Sequence, residues 1–164
     1  MDLFAHFQML AQYNRVANER TYECCSQLGA VEYLKQRQAS FGSIHGLLNH
    51  LLLADQIWMA RFEGGGKETP PLNTILFHDF QDLRAARAKE DAGIEEYFKH
   101  LPADFMSRSF QYINAQGRRI VETAPIAAAH FFNHQTHHRG QVHAILSQTP
   151  VPPPSLDLHR IVNP

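Results

Sequence analysis

Apolar residues recur every three or four positions in four long stretches of the chain, and helix-breaking residues separate these stretches. They run from about Asp2 to Leu28, Ser43 to Phe62, Phe80 to Leu101 and Pro125 to Gln148. This spacing is typical of helices that bury one face. The pattern predicts an all-α protein with four helices of roughly 20 residues, each about 30 Å long.

Start and stop signals support these boundaries. Ser43 is a natural N-cap, and "EGGGKETPP" ends the second stretch. Pro125 suits a first helical turn, and "TPVPPP" ends the last stretch. The segment "AVEYLKQRQ" is a candidate for a short additional helix, and the Pro-rich tail 150–164 is expected to be extended.

Two of the connections also indicate structure. In "SRSFQYINAQGRRIVET", aromatic and β-branched flanks around a turn-like centre predict a short β-hairpin between the third and fourth helices.

Four long helices most simply form a four-helix bundle. The connection from Glu63 to Asp79 could cross a helix's full length at about 3.3 Å per residue. The second and third helices would then be parallel, so an up-down-down-up order is at least as compatible as the alternating one.

The composition is that of one ordinary globular domain covering residues 1–164. Hydrophobic residues make up 44% of the chain, charged residues make up 19%, and the formal net charge is -1. Nucleic acid is not an expected partner because the basic pairs, Arg118-Arg119 and His138-Arg139, are short.

The chain carries no sign of export or membrane insertion, and a cytoplasmic location is expected. The N-terminus lacks a basic region before an apolar stretch, and the apolar run "LLLA" is far shorter than the roughly 20 residues of a membrane span. The adjacent Cys24 and Cys25 have poor geometry for a mutual disulfide. They are best interpreted as small hydrophobic residues on a helix.

The segment "HFFNHQTHHRGQVHAIL" holds five of the chain's eleven histidines. Residues four apart on a helix are only about 40° from one another. The apolar stripe of the fourth helix therefore passes through His134 and His138. His130 and His137 lie at its edge, where His137 is a candidate base. The stripe also contains Ala127, Phe131, Val142 and Ile145.

His50 interrupts a similar apolar stripe on the second helix, so both histidine-bearing faces are expected to meet in the interior. Three imidazoles among apolar side chains require compensation. A divalent metal with open positions for water or substrate would provide it. A hydrogen-bonded cluster or a metal-free pH sensor are the alternatives. A His-Glu-x-x-His protease is disfavoured because position 135 is Gln.

Several neighbouring polar residues have competing interpretations. Asp55 is about 140° from His50 on a helix and is expected to hold a neighbouring side chain rather than the metal. Arg139 and Gln141 are candidates for binding an acidic group, although a solvated face and helix–helix hydrogen bonds explain them better. Asn14 is expected to bridge helices, and Tyr13 is a candidate for the mouth of the site.

Phe132 points nearly opposite the histidine face of the fourth helix, with Ala128 and Leu146 near it. An apolar strip on the outside of a bundle suggests a covering partner. A homodimer is the simplest partner, and the hairpin or the Pro-rich tail would serve as well.

Three separated motifs resemble the DinB family of bacterial proteins. They are "QYNRVAN", "FGSIHGLLNHLLLADQIWMARF" and "HFFNHQTHHRGQVHAIL", and the resemblance covers essentially the whole chain. It implies an up-down-down-up four-helix bundle that is usually dimeric. It also implies a divalent metal held by three histidines, which fall on His50, His134 and His138.

The resemblance leaves the activity open, because most DinB proteins have no established one. Relatives in the wider superfamily are thiol-dependent enzymes that use bacillithiol or mycothiol at such a metal site. This implies a transferase or hydrolase acting on a small molecule, with a low-molecular-weight thiol as co-substrate. Zinc or nickel is the expected metal, with iron or manganese as alternatives. A non-catalytic, stress-responsive metal-binding or sensory dimer is the competing hypothesis.

Overall fold

Helices dominate the described part of the chain, which in this computed structural model comprises residues 1–65, 69–114 and 117–163. The α-helices there are α1 (Leu3–Cys25), α2 (Ala30–Leu34), α3 (Ile44–Phe62), α4 (Phe80–Lys99), α5 (Ala124–Leu146) and α6 (Leu158–Val162). A 3-10 turn at Phe105–Ser107 precedes a two-stranded sheet of β1 (Ser109–Ile113) and β2 (Arg119–Thr123). Within these ranges, none of the helices combines the length and apolarity needed to cross a bilayer.

Capping side chains set the starts of three long helices. The carboxylate of Asp2 accepts a hydrogen bond from the Ala5 amide at 2.8 Å, and the Ser43 hydroxyl accepts one from Gly46 at 3.0 Å. Asp79 caps α4 in the same way. These bonds satisfy amides that have no partner inside the helix. The boundaries of the long helices agree with the predicted ones to within a few residues.

The largest boundary difference is at the end of α1, which stops at Cys25 rather than near Leu28. The amides of Gln27 and Leu28 bond to carbonyls three residues earlier, at 3.1 Å each. Such bonds tighten the chain into turns and end the α-helix. Cys24 and Cys25 are free thiols, and burial raises the pKa of Cys25 to about 12. The expectation of small hydrophobic residues holds for this buried thiol.

The predicted hairpin is present as an antiparallel pair in which Phe110 lies opposite Glu122. Residues 115 and 116 of its turn lie outside the described residues. The ring of Phe110 is buried and lies 5.3 Å from that of Phe62 on α3. The hairpin thus covers one end of the helical core with an aromatic contact.

Helix α1 packs against α4 and α5, and α3 packs against the same two helices. Phe132 on α5 is buried by this arrangement, with its ring 6.2 Å from Phe7 of α1 and 4.8 Å from Phe98 of α4. The expectation of an outward apolar strip at Phe132 is therefore wrong, because α1 and α4 of the same chain cover it. The homodimer stays a prediction, but this strip no longer supports it.

The tail is not extended throughout, because α6 forms within it. The residues from Ser155 to Asn163 contain no proline, so a helical turn is available to them. Ile161 is buried against Tyr13 and Ala17 of α1. Burial of this side chain favours the helix and anchors the tail to α1.

A polar layer separates two apolar clusters in the helical core, and all four long helices contribute to it. Its members are Asn14, Asn18, Asp55, Arg87, Asp91, Gln135 and Arg139, all at most 2% exposed. Arg87 pairs with Asp55 at 2.7 Å and with Asp91 at 2.9 Å. Gln135 donates a hydrogen bond to Asp55. Asp55 thus holds neighbouring side chains, as expected.

Arg139 belongs to this polar layer and donates to Asn14 at 2.6 Å and to Asn18 at 3.0 Å. The expectation of helix–helix hydrogen bonds at Arg139 and Asn14 is confirmed. The expectation of a solvated face is wrong for Arg139, because its charge lies between helices. The two arginines and two aspartates balance one another in charge, as buried ions require.

Candidate metal centre

His50, His134 and His138 come together where α3 meets α5. One ring nitrogen of each lies within 4.8 Å of the others, and among the described residues these three form the group that can hold a metal ion. His50 reaches the group from α3, while His134 and His138 occupy successive turns of α5. The helical phase predicted this set correctly.

The surroundings of the cluster differ from the expected helical interior. Phe41, from the loop before α3, stacks on His50, and the carbonyl of Leu72, from the loop after α3, contacts the same ring. The interior at this level is instead occupied by polar-layer residues such as Asp55 and Gln135. The cluster therefore lies between α3 and α5 and is also contacted by the loops on both sides of α3.

Hydrogen bonds orient two of the three rings. The Nδ1 atom of His50 is 2.9 Å from the Leu72 carbonyl, and the Nδ1 atom of His138 is 2.9 Å from Oε1 of Gln141. Because both oxygens only accept, each Nδ1 must carry the proton, which leaves Nε2 with a free lone pair. Such partners fix the tautomer and direction of metal-binding histidines.

The spacing of the lone-pair atoms fits a metal ion. Nε2 of His50 and Nε2 of His134 are 3.2 Å apart. Two nitrogens that each bind a tetrahedral zinc at about 2.0–2.1 Å would be separated by roughly 3.3 Å. A donor set of three imidazoles is also suited to zinc, nickel or iron. The residues present thus fit a first-row divalent ion.

The electrostatic environment keeps the cluster neutral. Burial lowers the pKa of His50 to about 4, with a smaller contribution from the neighbouring His138, although the hydrogen bond to the Leu72 carbonyl acts against this shift. Burial, followed by His138 and His50, lowers the pKa of His134 to about 3. The pKa of His138 is also lowered, mainly by burial. All three are therefore uncharged near pH 7, which is the form that binds metals.

The ring of Phe41 covers part of the cluster, and the backbone of this residue has a constrained conformation. It stacks on His50 with ring centroids 3.6 Å apart, and its φ of 61° lies in the left-handed region that favours glycine. If residue 46 had a side chain, its Cβ atom would lie only 2.1 Å from the carbonyl oxygen of Phe41. Only glycine at position 46 therefore allows the loop to approach α3 this closely.

Asn49 fixes the loop on the other side of the cluster. Its Oδ1 accepts hydrogen bonds from the amides of Leu76 and Phe77, at 2.9 Å each. Its amide group also reaches the Phe77 carbonyl, at 3.2 Å. These bonds tie the loop that presents the Leu72 carbonyl to the residue adjacent to His50. The role of Asn49 does not follow from helical periodicity, and its position beside the candidate ligand His50 is the one signal in the sequence.

A cavity of about 230 Å³ opens beside the cluster, and its lining includes His50, His134, Trp58, Arg61 and Tyr112. That volume is ample for several water molecules or a small organic molecule. The histidine nitrogens are therefore next to space that water or a small molecule can occupy.

Three other residues considered for the site, His130, His137 and Tyr13, lie outside the three-histidine group. His130 lines the cavity with its ring 6.0 Å from that of His134, and His137 is exposed with its ring 4.7 Å from that of His138. Neither belongs to the three-histidine group. Tyr13 is not at the mouth of the site, because its hydroxyl donates to the Leu156 carbonyl at 2.9 Å and so holds the tail.

The fold and the site define a helical protein with a three-histidine cluster that can hold a metal ion beside an accessible cavity. The chain belongs to the DinB family, whose model matches residues 3–163. It is similar to Protein DinB of Bacillus subtilis (strain 168), with 27% identity over 148 residues, or 85% of this chain and 83% of that protein. The resemblance inferred from the three motifs is thereby confirmed.

Proposed function

We propose that this protein binds a divalent metal ion through His50, His134 and His138 and uses it to transform a small molecule. The observation that carries the proposal is the convergence of three imidazoles beside the cavity, within 4.8 Å of one another. Zinc or nickel is the proposed ion, and iron or manganese is compatible with the same ligands. A bound ion would lower the pKa of a coordinated water or thiol and supply a nucleophile near neutral pH.

The proposed reaction is a thiol-dependent transfer or a hydrolysis. The chain's own cysteines are poorly suited to supply the thiol. Cys25 is buried, and burial raises its pKa to about 12, while the pKa of Cys24 is also raised, mainly by burial. Both lie in α1 and not on α3 or α5. A low-molecular-weight thiol that enters the cavity is therefore the proposed co-substrate.

The residues around the ligands have distinct proposed roles. The Leu72 carbonyl and the Gln141 side chain hold the protons on Nδ1 of His50 and His138, so that Nε2 faces the ion. Phe41 stacks on His50 and shields that face of the imidazole from water. Shielding strengthens electrostatic interactions at the reacting atoms.

The scaffold proposed for this site is a four-helix bundle of up-down-down-up order. Arg15 pairs with Glu95, and Gln8 reaches the carbonyl of Lys99, which supports antiparallel α1 and α4. Asn49, early in α3, bonds to Phe77, which precedes α4, and this supports parallel α3 and α4. In such an order α3 and α5 are neighbours, as the histidine cluster requires.

A direct test compares transfer of a thiol to a chromogenic aryl halide by metal-loaded native protein and by two variants. His138→Ala should lose the metal-dependent rate, because it removes one ligand. His100→Ala should retain that rate, since His100 is exposed on the end of α4. Equal rates for metal-loaded and metal-stripped native protein, with every thiol tested, would contradict the proposed thiol chemistry.

A further inference from the structure

The cavity beside the histidines contains a cation, Arg61, for which the described residues supply no counter-ion. Arg61 is only 9% exposed, and its guanidinium lies 4.7 Å from the ring centroid of Trp58 and 4.0 Å from that of Tyr112. A weak hydrogen bond of 3.4 Å reaches the Thr69 hydroxyl. Among residues 1–65, 69–114 and 117–163, no carboxylate forms an ion pair with this guanidinium.

The energetics of this environment favour an anion from outside the chain. Removing a guanidinium from water is unfavourable unless an opposite charge replaces the lost hydration. Aromatic faces provide only part of that compensation, through cation–π contacts. In the polar layer, by contrast, the buried guanidinium of Arg87 forms ion pairs with two carboxylates, those of Asp55 and Asp91.

Arg61 and two histidines of the cluster, His50 and His134, line the same cavity. The guanidinium is stacked on Trp58, which follows His50 by eight residues, or about 12 Å along a helix. Ala54 and Ile57, which lie between His50 and Arg61 on α3, also line the cavity. Along α3 the cavity lining therefore passes from a histidine through apolar side chains to a guanidinium.

We propose that the cavity binds an elongated small molecule that carries one carboxylate. Its carboxylate pairs with Arg61, while its other end reaches the histidine cluster. This inference rests on the proposed function, because the far end is expected to meet the metal. A carboxylate is favoured over a phosphate because one guanidinium balances one charge, and an unbalanced second charge would be costly to bury beside apolar side chains.

Calorimetric titration of the intact protein with ω-mercaptooctanoate tests the proposal. This probe has a thiol for the metal and a carboxylate at the opposite end of a chain of suitable length. Its neutral analogue, ω-mercaptooctanamide, should bind about tenfold to a hundredfold more weakly to the zinc-loaded native protein, since a charge-assisted pair is lost. Arg61→Gln should remove this difference, and Arg61→Lys should keep part of it. Arg84→Gln is the matched control, because Arg84 is a partly exposed arginine of α4 that does not line this cavity.

Outcomes for the anion site and for the metal are separable. Zinc content and thermal stability are measured for every variant, so a misfolded or metal-free protein is recognised independently of probe binding. If native protein fails to bind zinc but still prefers octanoate to octanamide, the proposed function fails and the anion site stands. Equal affinity for charged and neutral probes, an unchanged preference in Arg61→Gln, or tighter binding of octyl phosphate than of octanoate would each overturn the carboxylate site.

Discussion

Replacing Arg87 by methionine would remove one of the two positive charges from the polar layer. Arg87 is 2% exposed and forms ion pairs with Asp55 at 2.7 Å and with Asp91 at 2.9 Å. Methionine replaces the unbranched alkyl part of the side chain but not the guanidinium, so it leaves two buried carboxylates with Arg139 as the remaining cation of the layer. Breaking a buried pair in this way costs about 3–5 kcal/mol, which is a large fraction of the 5–15 kcal/mol typical of a folded domain.

The loss of stability in Arg87→Met should depend on pH in a defined direction. Burial raises the pKa of both Asp55 and Asp91 to about 6, although Arg87 acts against this rise. Without Arg87 both pKa values should rise further. A carboxyl whose pKa is raised by folding contributes stability at low pH and loses that contribution as pH rises through the folded pKa. The variant should therefore be weakest near pH 7 and recover much of its stability at pH 5.

Urea unfolding followed by circular dichroism at pH 7 and pH 5 measures both effects. Comparing variant with native protein at each pH cancels contributions from the histidines. Arg84→Met is the control, because Arg84, one turn before Arg87 on α4, makes a solvent-accessible ion pair with Glu23 of α1, and its loss should cost less than about 1 kcal/mol. A loss in Arg87→Met no greater than that of the control, or a loss that is equal at the two pH values, would refute the reasoning.

Two further predictions concern the histidine cluster and its cover. In metal-free protein, His50 and His134 should remain neutral at pH 5 by NMR of their ring nitrogens, since their pKa values are lowered to about 4 and about 3. Their contribution to stability is present above pH 6.5 and is lost as pH falls toward these values, so titration of either ring near pH 6.5 would contradict the geometry. Gly46→Ala should cost about 1–3 kcal/mol in thermal unfolding, because its Cβ would collide with the Phe41 carbonyl. Gly93→Ala, where a Cβ meets nothing within 4 Å, should be neutral or stabilising, and equal effects of the two substitutions would be evidence against the close approach.

The three candidate ligands could be predicted because they lie on regular helices. His134 and His138 share a face by their spacing alone, and His50 interrupts the equivalent stripe of another helix. Phe41 and Leu72 could not be found in this way, because both lie in loops, where side-chain direction has no fixed period. The constraint at Gly46 likewise depends on the approach of a separate chain segment.

Helical phase also could not identify which neighbour covers each face. Phe132 lies opposite the histidines and was expected to face outward, but α1 and α4 pack on that side. For Arg139 the sequence left a solvated face open beside helix–helix hydrogen bonds, because its partners Asn14 and Asn18 are on a helix far away in sequence. Both cases have one cause: periodicity defines the faces of a helix but not the order in which helices surround it.

The pairing of α6 with α1 was missed for a related reason. The Pro-rich residues that precede it suggested an extended chain, and a helix of five residues has little periodicity of its own. It is stable here because Ile161 is buried against Tyr13 and Ala17. Short helices of this kind depend on tertiary contacts more than on local preference.

Metal content measured by mass spectrometry, on protein purified without an affinity tag, tests the central claim most directly. The native chain and His100→Ala are expected to carry close to one divalent ion each, whereas His50→Ala and His134→Ala are expected to lose it. Loss in both variants would require α3 and α5 to build one site. Native protein that takes up no metal even after reconstitution, or ligand variants that retain it in full, would contradict the account.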